Sequence, residues 1–261
     1  MKNTIKKYKN RIEQIYGAYV KSLLLRSDFS VECPCCGWQG NHFFAQPIVD
    51  GERLDALCPK CGSLERHRLY YIYLKNIIPT EKKVKVLHFA PEDVLAKLFN
   101  SFDNVDYVSA DINPKKAMVK EDIMQLSFKK DSFDIIFCAH VLEHIVDDVG
   151  AMSELKRVLR SGGIAILQVP IKKEFKGIAI NKTYEDSSVI DPAERAKKFG
   201  QSDHVRIYGV DYVDRLRTSG FKVNINKFAN SLNEDLIDKY SLLPNDDMGG
   251  DFEGWIYECR K

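Results

Sequence analysis

The sequence predicts an α/β protein: an open, largely parallel sheet with helices on both faces, preceded by a small cysteine-rich module. Two observations carry this. Phe133 to Cys138 is an almost wholly apolar run of strand length, which suits a parallel strand covered on both sides, and a helical pattern and a second apolar run follow it. In addition, five of the seven cysteines fall between Cys33 and Cys61. The first residues, MKNTIKKYKNR, lack the apolar core of a secretion signal, so this clustering points to metal rather than disulfides.

A length of 261 residues accommodates one large domain and a small one, and 44% apolar with 29% charged residues is ordinary for a globular chain. The net charge of +2 supplies no bulk pull toward nucleic acid or membrane, although the N-terminal segment is locally basic. No apolar run approaches the roughly 18 residues of a membrane span, so a cytoplasmic location is expected. No internal repeat or low-complexity tract is present.

Residues 1–30 read as a helix, with Ile5, Ile12, Ile15, Tyr19 and Leu23 near helical spacing and Lys2, Lys6, Lys7 and Lys9 on other faces. This suits docking onto the rest of the chain; binding an anionic substrate is the alternative. Residues 31–66 read as a zinc ribbon. Cys33-Pro34-Cys35-Cys36-Gly37 and Cys58-Pro59-Lys60-Cys61-Gly62 are knuckles that each turn two thiolates toward one ion, so Cys33, Cys36, Cys58 and Cys61 would hold structural Zn2+. The spacing does not exclude Cys35 in place of Cys33. His42 and His67 lie near a shell that four cysteines already fill. Arg66, His67 and Arg68 form a cationic group that opens the helix Leu69 to Ile78; a solvated helix start and an anchor for substrate carboxylate or phosphate are both open.

Residues 67–261 form the large domain. Lys83 to Ala90 reads as its first strand and Pro91 to Ser101 as the helix after it. Val105 to Ala110 is the second strand. Ile145 to Arg160 carries Val149, Met152, Leu155, Val158 and Leu159 at three- and four-residue spacing, a helix with one buried face, and Ser161-Gly162-Gly163 is expected to stop it. Ile164 to Val169 is the next strand. Strand, helix and strand in this order give a right-handed crossover whose ligand side lies at the carboxyl ends of the strands. Asp211 to Ser219 is a helix, Phe221 to Phe228 and Gly254 to Cys259 pair antiparallel, and Asn230 to Asp251 is a polar surface excursion. Cys138 and Cys259 read as packing residues.

FDIIFCAHVLEHI, followed by ELKRVLRSGGIAILQVP, resembles the fourth and fifth motifs of class I S-adenosylmethionine-dependent methyltransferases, in the branch called type 11. The resemblance runs from about Val84 to the C-terminus. It implies a Rossmann-like seven-stranded methyltransferase sheet and S-adenosyl-L-methionine as cofactor, and it leaves the substrate open. The turn that meets the methionine part of the cofactor is then Phe89-Ala90-Pro91-Glu92, without the glycines usual there; Ala90 is small enough to keep the approach open and Glu92 takes the amino group. Asp111, which follows the second strand 22 residues beyond Phe89, accepts the ribose hydroxyls, as in dinucleotide folds. Ile112 or Asn113 lies against adenine, and Asp122 and Ile123 meet its edge. Ala139, His140 and His144 complete the cofactor wall.

Methyl transfer from a sulfonium needs alignment, a dry site and, for oxygen or nitrogen acceptors, removal of a proton. His140 and His204 are the candidate bases. Residues 171–208 exceed the usual connection of roughly 4–6 residues and would form a substrate cap at the functional edge. GQSDHVRIYG within it, followed by DYVDRLRTSGF, resembles a feature of type 11 members that carry the same ribbon. Arg66, Arg206 and Tyr208 are the expected substrate binders. The expected acceptor is a small molecule or sugar-like metabolite. A zinc-ribbon RNA methyltransferase and a silent cofactor-binding scaffold are the alternatives. Oligomeric state is not legible.

Overall fold

The computed structural model describes residues 30–48, 51–171, 180–243 and 254–261; the expected N-terminal helix lies outside them. The cysteine module is built from two short antiparallel pairs, β1 (Val31–Glu32) with β2 (Gln39–Gly40), and β3 (Phe44–Ile48) with β4 (Gly51–Leu57). Helix α1 (Glu65–Ile77) follows, so the boundary expected between residues 66 and 67 falls inside its first turn. Arg68 explains why the two parts share a helix. It is fully buried, stacks 3.9 Å above the Phe43 ring, and donates to the carbonyls of Ala56 at 2.8 Å, Tyr240 at 2.6 Å and Ser241 at 2.7 Å. It clamps the module to the large domain and is closed to substrate.

The large domain holds a seven-stranded sheet in the order β12-β13-β9-β8-β5-β6-β7. Its strands are β5 (Val84–Phe89), β6 (Val105–Asp111), β7 (Val119–Lys120), β8 (Phe133–Ala139), β9 (Leu159–Gln168), β12 (Lys222–Asn226) and β13 (Ile256–Arg260). Strands β5 to β9 run parallel and β13 is antiparallel to both its neighbours, as the apolar runs predict. Alternate residues of β8 feed two cores. Ile136 and Cys138 meet Ala151, Met152 and Leu155 of α3 (Asp148–Val158) and Leu216 of α5 (Tyr212–Thr218). Ile135 and Phe137 meet Leu69, Tyr73 and Leu74 of α1 and Leu95 and Leu98 of α2 (Asp93–Asn100). At roughly 1.5–3 kcal/mol for each buried aliphatic or aromatic side chain, these two layers carry the fold.

Strand order reverses at β5: the chain proceeds to β6 and β7 on one side and to β8 and β9 on the other. The carboxyl ends of β5 and β8 therefore flank a crevice. Two expectations shift. Helix α3 starts at Asp148 rather than Ile145, with Asp147 capping it through Gly150 N–H at 2.8 Å. Ser161-Gly162-Gly163 does not stop the helix; it is an irregularity within β9, where Gly162 has φ +79° and a side chain on Gly163 would meet the Asp134 carbonyl at 2.7 Å. The excursion after residue 230 contains a helix, α6 (Glu234–Tyr240), that its polar sequence hid. The cap contributes α4 (Pro192–Phe199) and the pair β10 (Tyr184–Glu185) with β11 (Arg206–Ile207).

Candidate functional site

In the cysteine module each knuckle closes in the same way. Gly37 N–H donates to the Cys33 carbonyl and Gly62 N–H to the Cys58 carbonyl, both at 2.9 Å, with both glycines at positive φ. The two turns bring Cys33, Cys36, Cys58 and Cys61 into one group. Sγ atoms of Cys33 and Cys61, and of Cys36 and Cys58, are 3.7 Å apart. Four sulfurs at about 2.3 Å from a tetrahedral ion would be about 3.8 Å apart, so the set can hold zinc as it stands. Cys35 lies outside the group.

At the crevice, β5 ends in Phe89 and turns at Ala90, which has φ +46°. A non-glycine residue held there costs on the order of 1–2 kcal/mol, and His140, at φ +55° after β8, repeats the strain on the facing strand. Glu92 caps α2 in an extended conformation. Its Oε2 accepts from Nε2 of the fully buried His88 at 2.8 Å, and His88 Nδ1 lies 3.1 Å from the Tyr107 hydroxyl. Burial would push the Glu92 carboxyl up, but the His88 hydrogen bond and charge hold it below the ordinary value. Asp111 ends β6, and its Oδ1 accepts from Asn113 N–H at 2.7 Å. Beside it Ile112 and Met118 are 62% and 65% exposed, an apolar pair facing solvent. Asp122 Oδ1 accepts from Met124 N–H at 2.9 Å, and Ile123 is buried.

Beyond β8, His140 N–H donates to the Gln168 carbonyl at 2.9 Å and its ring Nδ1 lies 3.4 Å from Glu143 Oε1. A single 3-10 turn, Leu142–His144, carries Glu143 and His144. The His144 ring meets the His204 ring edge-on at 4.7 Å. Burial and the charge of His144 lower the pKa of His204. Helix α1 packs on β8, with the Tyr70 ring edge-on to Phe137 at 5.5 Å. His67 is buried, with its Nδ1 accepting from Leu64 N–H and its Nε2 unpaired; the Nε of Arg66 is also buried and unpaired. Burial first, and then Arg66, hold His67 down to about 3, and the charges of Glu92 and His140 also reach it. The first turn of α1 thus stands over the ends of β5 and β8.

Comparison with known proteins bears on this geometry directly. The family model described as a methyltransferase domain matches residues 87–167, from β5 through β9. Residues 87–167 are a methyltransferase domain. The seven-stranded order with its switch point is the arrangement such a domain takes, and the two together support S-adenosylmethionine-dependent methyl transfer. An S-adenosylmethionine-dependent methyltransferase of Mesorhizobium loti is similar in structure, with a TM-score of 0.50 and 12% identity over 74% of this chain and 98% of that one. The YcgJ protein of Bacillus subtilis matches at 14% identity and a TM-score of 0.45, covering 75% and 99% of the two chains. A Haloferax volcanii methyltransferase in complex with the Trm112 methyltransferase activator matches at 15% identity and 0.46, covering 74% and 90%. At such identities the likeness is one of fold alone. Comparison with curated proteins found no match.

Phe89, Ala90, Pro91, Glu92, Ala139 and His140 come together at the crevice, with Asp111 and Ile112 at the end of the adjoining strand. Two expected substrate binders do not reach it. Arg206 is buried, and its nitrogens go to Glu185 Oε2 at 3.0 Å and to the carbonyls of Leu142, Ile145 and Val146. Tyr208 is fully buried, with its hydroxyl 2.6 Å from Asp148 Oδ2. Both hold the cap to the domain, because a buried guanidinium or phenol must spend its donors inside the protein. His144 faces Asp203 and His204 instead of the crevice wall. The residues the sequence reading did not single out are His88 and Met118; of these His88, a polar residue inside the strand VKVLHF, left a signal.

Proposed function

We propose that the protein methylates an oxygen or nitrogen of a small-molecule or sugar-like acceptor held beneath the cap formed by residues 180–208. The observation that carries this is the row of titratable side chains along the crevice, Arg66, His67, Glu92, His140 and Glu143, two of which present buried, unpaired nitrogens. Unpaired buried donors fit a site that a polar ligand completes. S-adenosylmethionine supplies an electrophilic methyl group. Asp111 binds the ribose hydroxyls through the carboxylate oxygen that does not receive Asn113 N–H, Ile112 and Met118 cover adenine, Asp122 and Ile123 meet its edge, and Glu92 binds the amino group. Ala90 keeps the backbone turn low enough for the methionine part to approach. His140 takes the acceptor's proton, Arg66 binds the acceptor, and His204 positions His144 and the cap above them. The four cysteines hold zinc that braces the module; with four thiolates bound, no position is left for catalysis.

Calorimetric titration with S-adenosylmethionine tests the cofactor half. Micromolar binding is expected, weakened about 10- to 100-fold in Asp111→Ala, the equivalent of roughly 1.5–3 kcal/mol for a hydrogen-bonded charge. No binding to zinc-loaded protein would sink the reading. A salt-dependent shift of RNA would favour a nucleic-acid acceptor instead.

A further inference from the structure

Glu143 is 1% exposed, and its Oε2 has no hydrogen-bond partner. An unpaired buried carboxylate oxygen is costly, so something outside the described side chains must complete it. Its other oxygen is near His140 Nδ1, as described. Donor atoms of Glu143, His144 and His204 lie within 4.8 Å of one another. Two imidazoles and one carboxylate on one side of an ion leave open coordination positions, unlike the closed cysteine set.

The His144 ring is also held from behind, with its Nδ1 3.4 Å from the Asp203 carboxylate. Metal-binding histidines are oriented in this way, with the second ring nitrogen on a carbonyl or carboxylate. The two segments that carry the donors are tied together. Val205 N–H donates to the Glu143 carbonyl at 2.9 Å, and Arg206 takes the carbonyls of Leu142 and Val146 on either side. The three donors are therefore assembled without help from an ion.

We propose that Glu143, His144 and His204 bind a divalent first-row transition-metal ion, separate from the cysteine site, which receives a hydroxyl oxygen of the methyl acceptor. The role assigned to the ion rests on the methyl-transfer reading; the binding site does not. An ion there lowers the pKa of the acceptor hydroxyl. The proton passes to His140, an oxygen lone pair forms the O–CH3 bond, and the C–S bond breaks with its electrons retained on sulfur, which leaves as a neutral thioether.

The test is titration of Co2+ into the full chain already loaded with zinc through its cysteines. The expected result is one Co2+ per chain, with hyperfine-shifted imidazole N–H resonances and no thiolate-to-cobalt absorption. The His144→Ala/His204→Ala variant should lose this uptake while retaining its zinc and wild-type binding of S-adenosylhomocysteine. Glu143→Gln, which keeps the side-chain shape, should weaken Co2+ binding about 10- to 100-fold, and it decides the matter if the double variant fails to fold. Absence of Co2+ uptake by wild type, or undiminished uptake by the variants, overturns the proposal. Co2+ uptake without S-adenosylhomocysteine binding would uphold the site and remove the methyl-transfer role.

Discussion

The place of Asp111 at the end of β6 and the grouping of the four cysteines were legible because each depends on a short local pattern: the end of a strand, or a tight knuckle closed by glycine. His88 was not, because its role is made by two partners from different elements, Glu92 and Tyr107. Replacing it leaves the half-buried Tyr107 hydroxyl without its imidazole and empties a ring that packs against Phe99 and Phe137. His88→Ala is therefore expected to lower stability by about 3–5 kcal/mol in urea titration and to weaken cofactor binding through a mispositioned Glu92. His88→Gln should lose less, since it restores a donor. Ala90 and His140 belong to the same scale. Their left-handed backbones stand opposite each other at the crevice, where strain is tolerated because the flanking strands over-determine it.

The cap, as an element, is fastened by buried charge as well as by Tyr208, which packs into the core against Tyr212. Asp148 accepts from Arg215 at 2.6 and 2.8 Å and from the Tyr208 hydroxyl, and Glu185 accepts from Arg206 and Arg215. Burial would push the Asp148 carboxyl up, but the Arg215 and Tyr208 hydrogen bonds and the Arg206 charge leave it below the ordinary value. A carboxyl depressed in the folded state stabilises above its unfolded pKa, about 3.9, and that contribution is lost as pH falls through the folded value. Urea unfolding should therefore show Asp148→Asn well below wild type at pH 7, with the gap closing as pH falls below about 4. The sequence showed a long connection here, from its length. It did not show that Arg206 and Tyr208 face inward, because arginine and tyrosine within a polar loop look the same whether they bind substrate or brace the loop. The displaced start of α3 has the same origin: Arg206 takes the carbonyls of Leu142, Ile145 and Val146.

For the molecule as a whole, Arg68 joins the cysteine module, α1 and α6 into one core. Loss of the proposed zinc should thus be felt beyond the module. An ion present at a hundredfold excess over its Kd adds about 2.7 kcal/mol, so chelation or Cys58→Ser should lower Tm cooperatively in calorimetry, with zinc content falling in parallel. A separate low-temperature transition confined to the module would contradict this coupling. Among the described residues no helix is long and apolar enough to cross a membrane. The sequence by itself determined the α/β class, the two cysteine knuckles, the crossover from β8 to β9 and the acid at the end of β6, because each is fixed by a period or spacing within a few dozen residues. Tertiary structure alone decided which histidines meet, which arginines are buried and which carboxylate oxygen is left without a hydrogen bond. Those outcomes depend on partners brought in from distant segments, such as the 3-10 turn at Leu142 and the cap strand at Arg206, and local sequence carries no record of that approach.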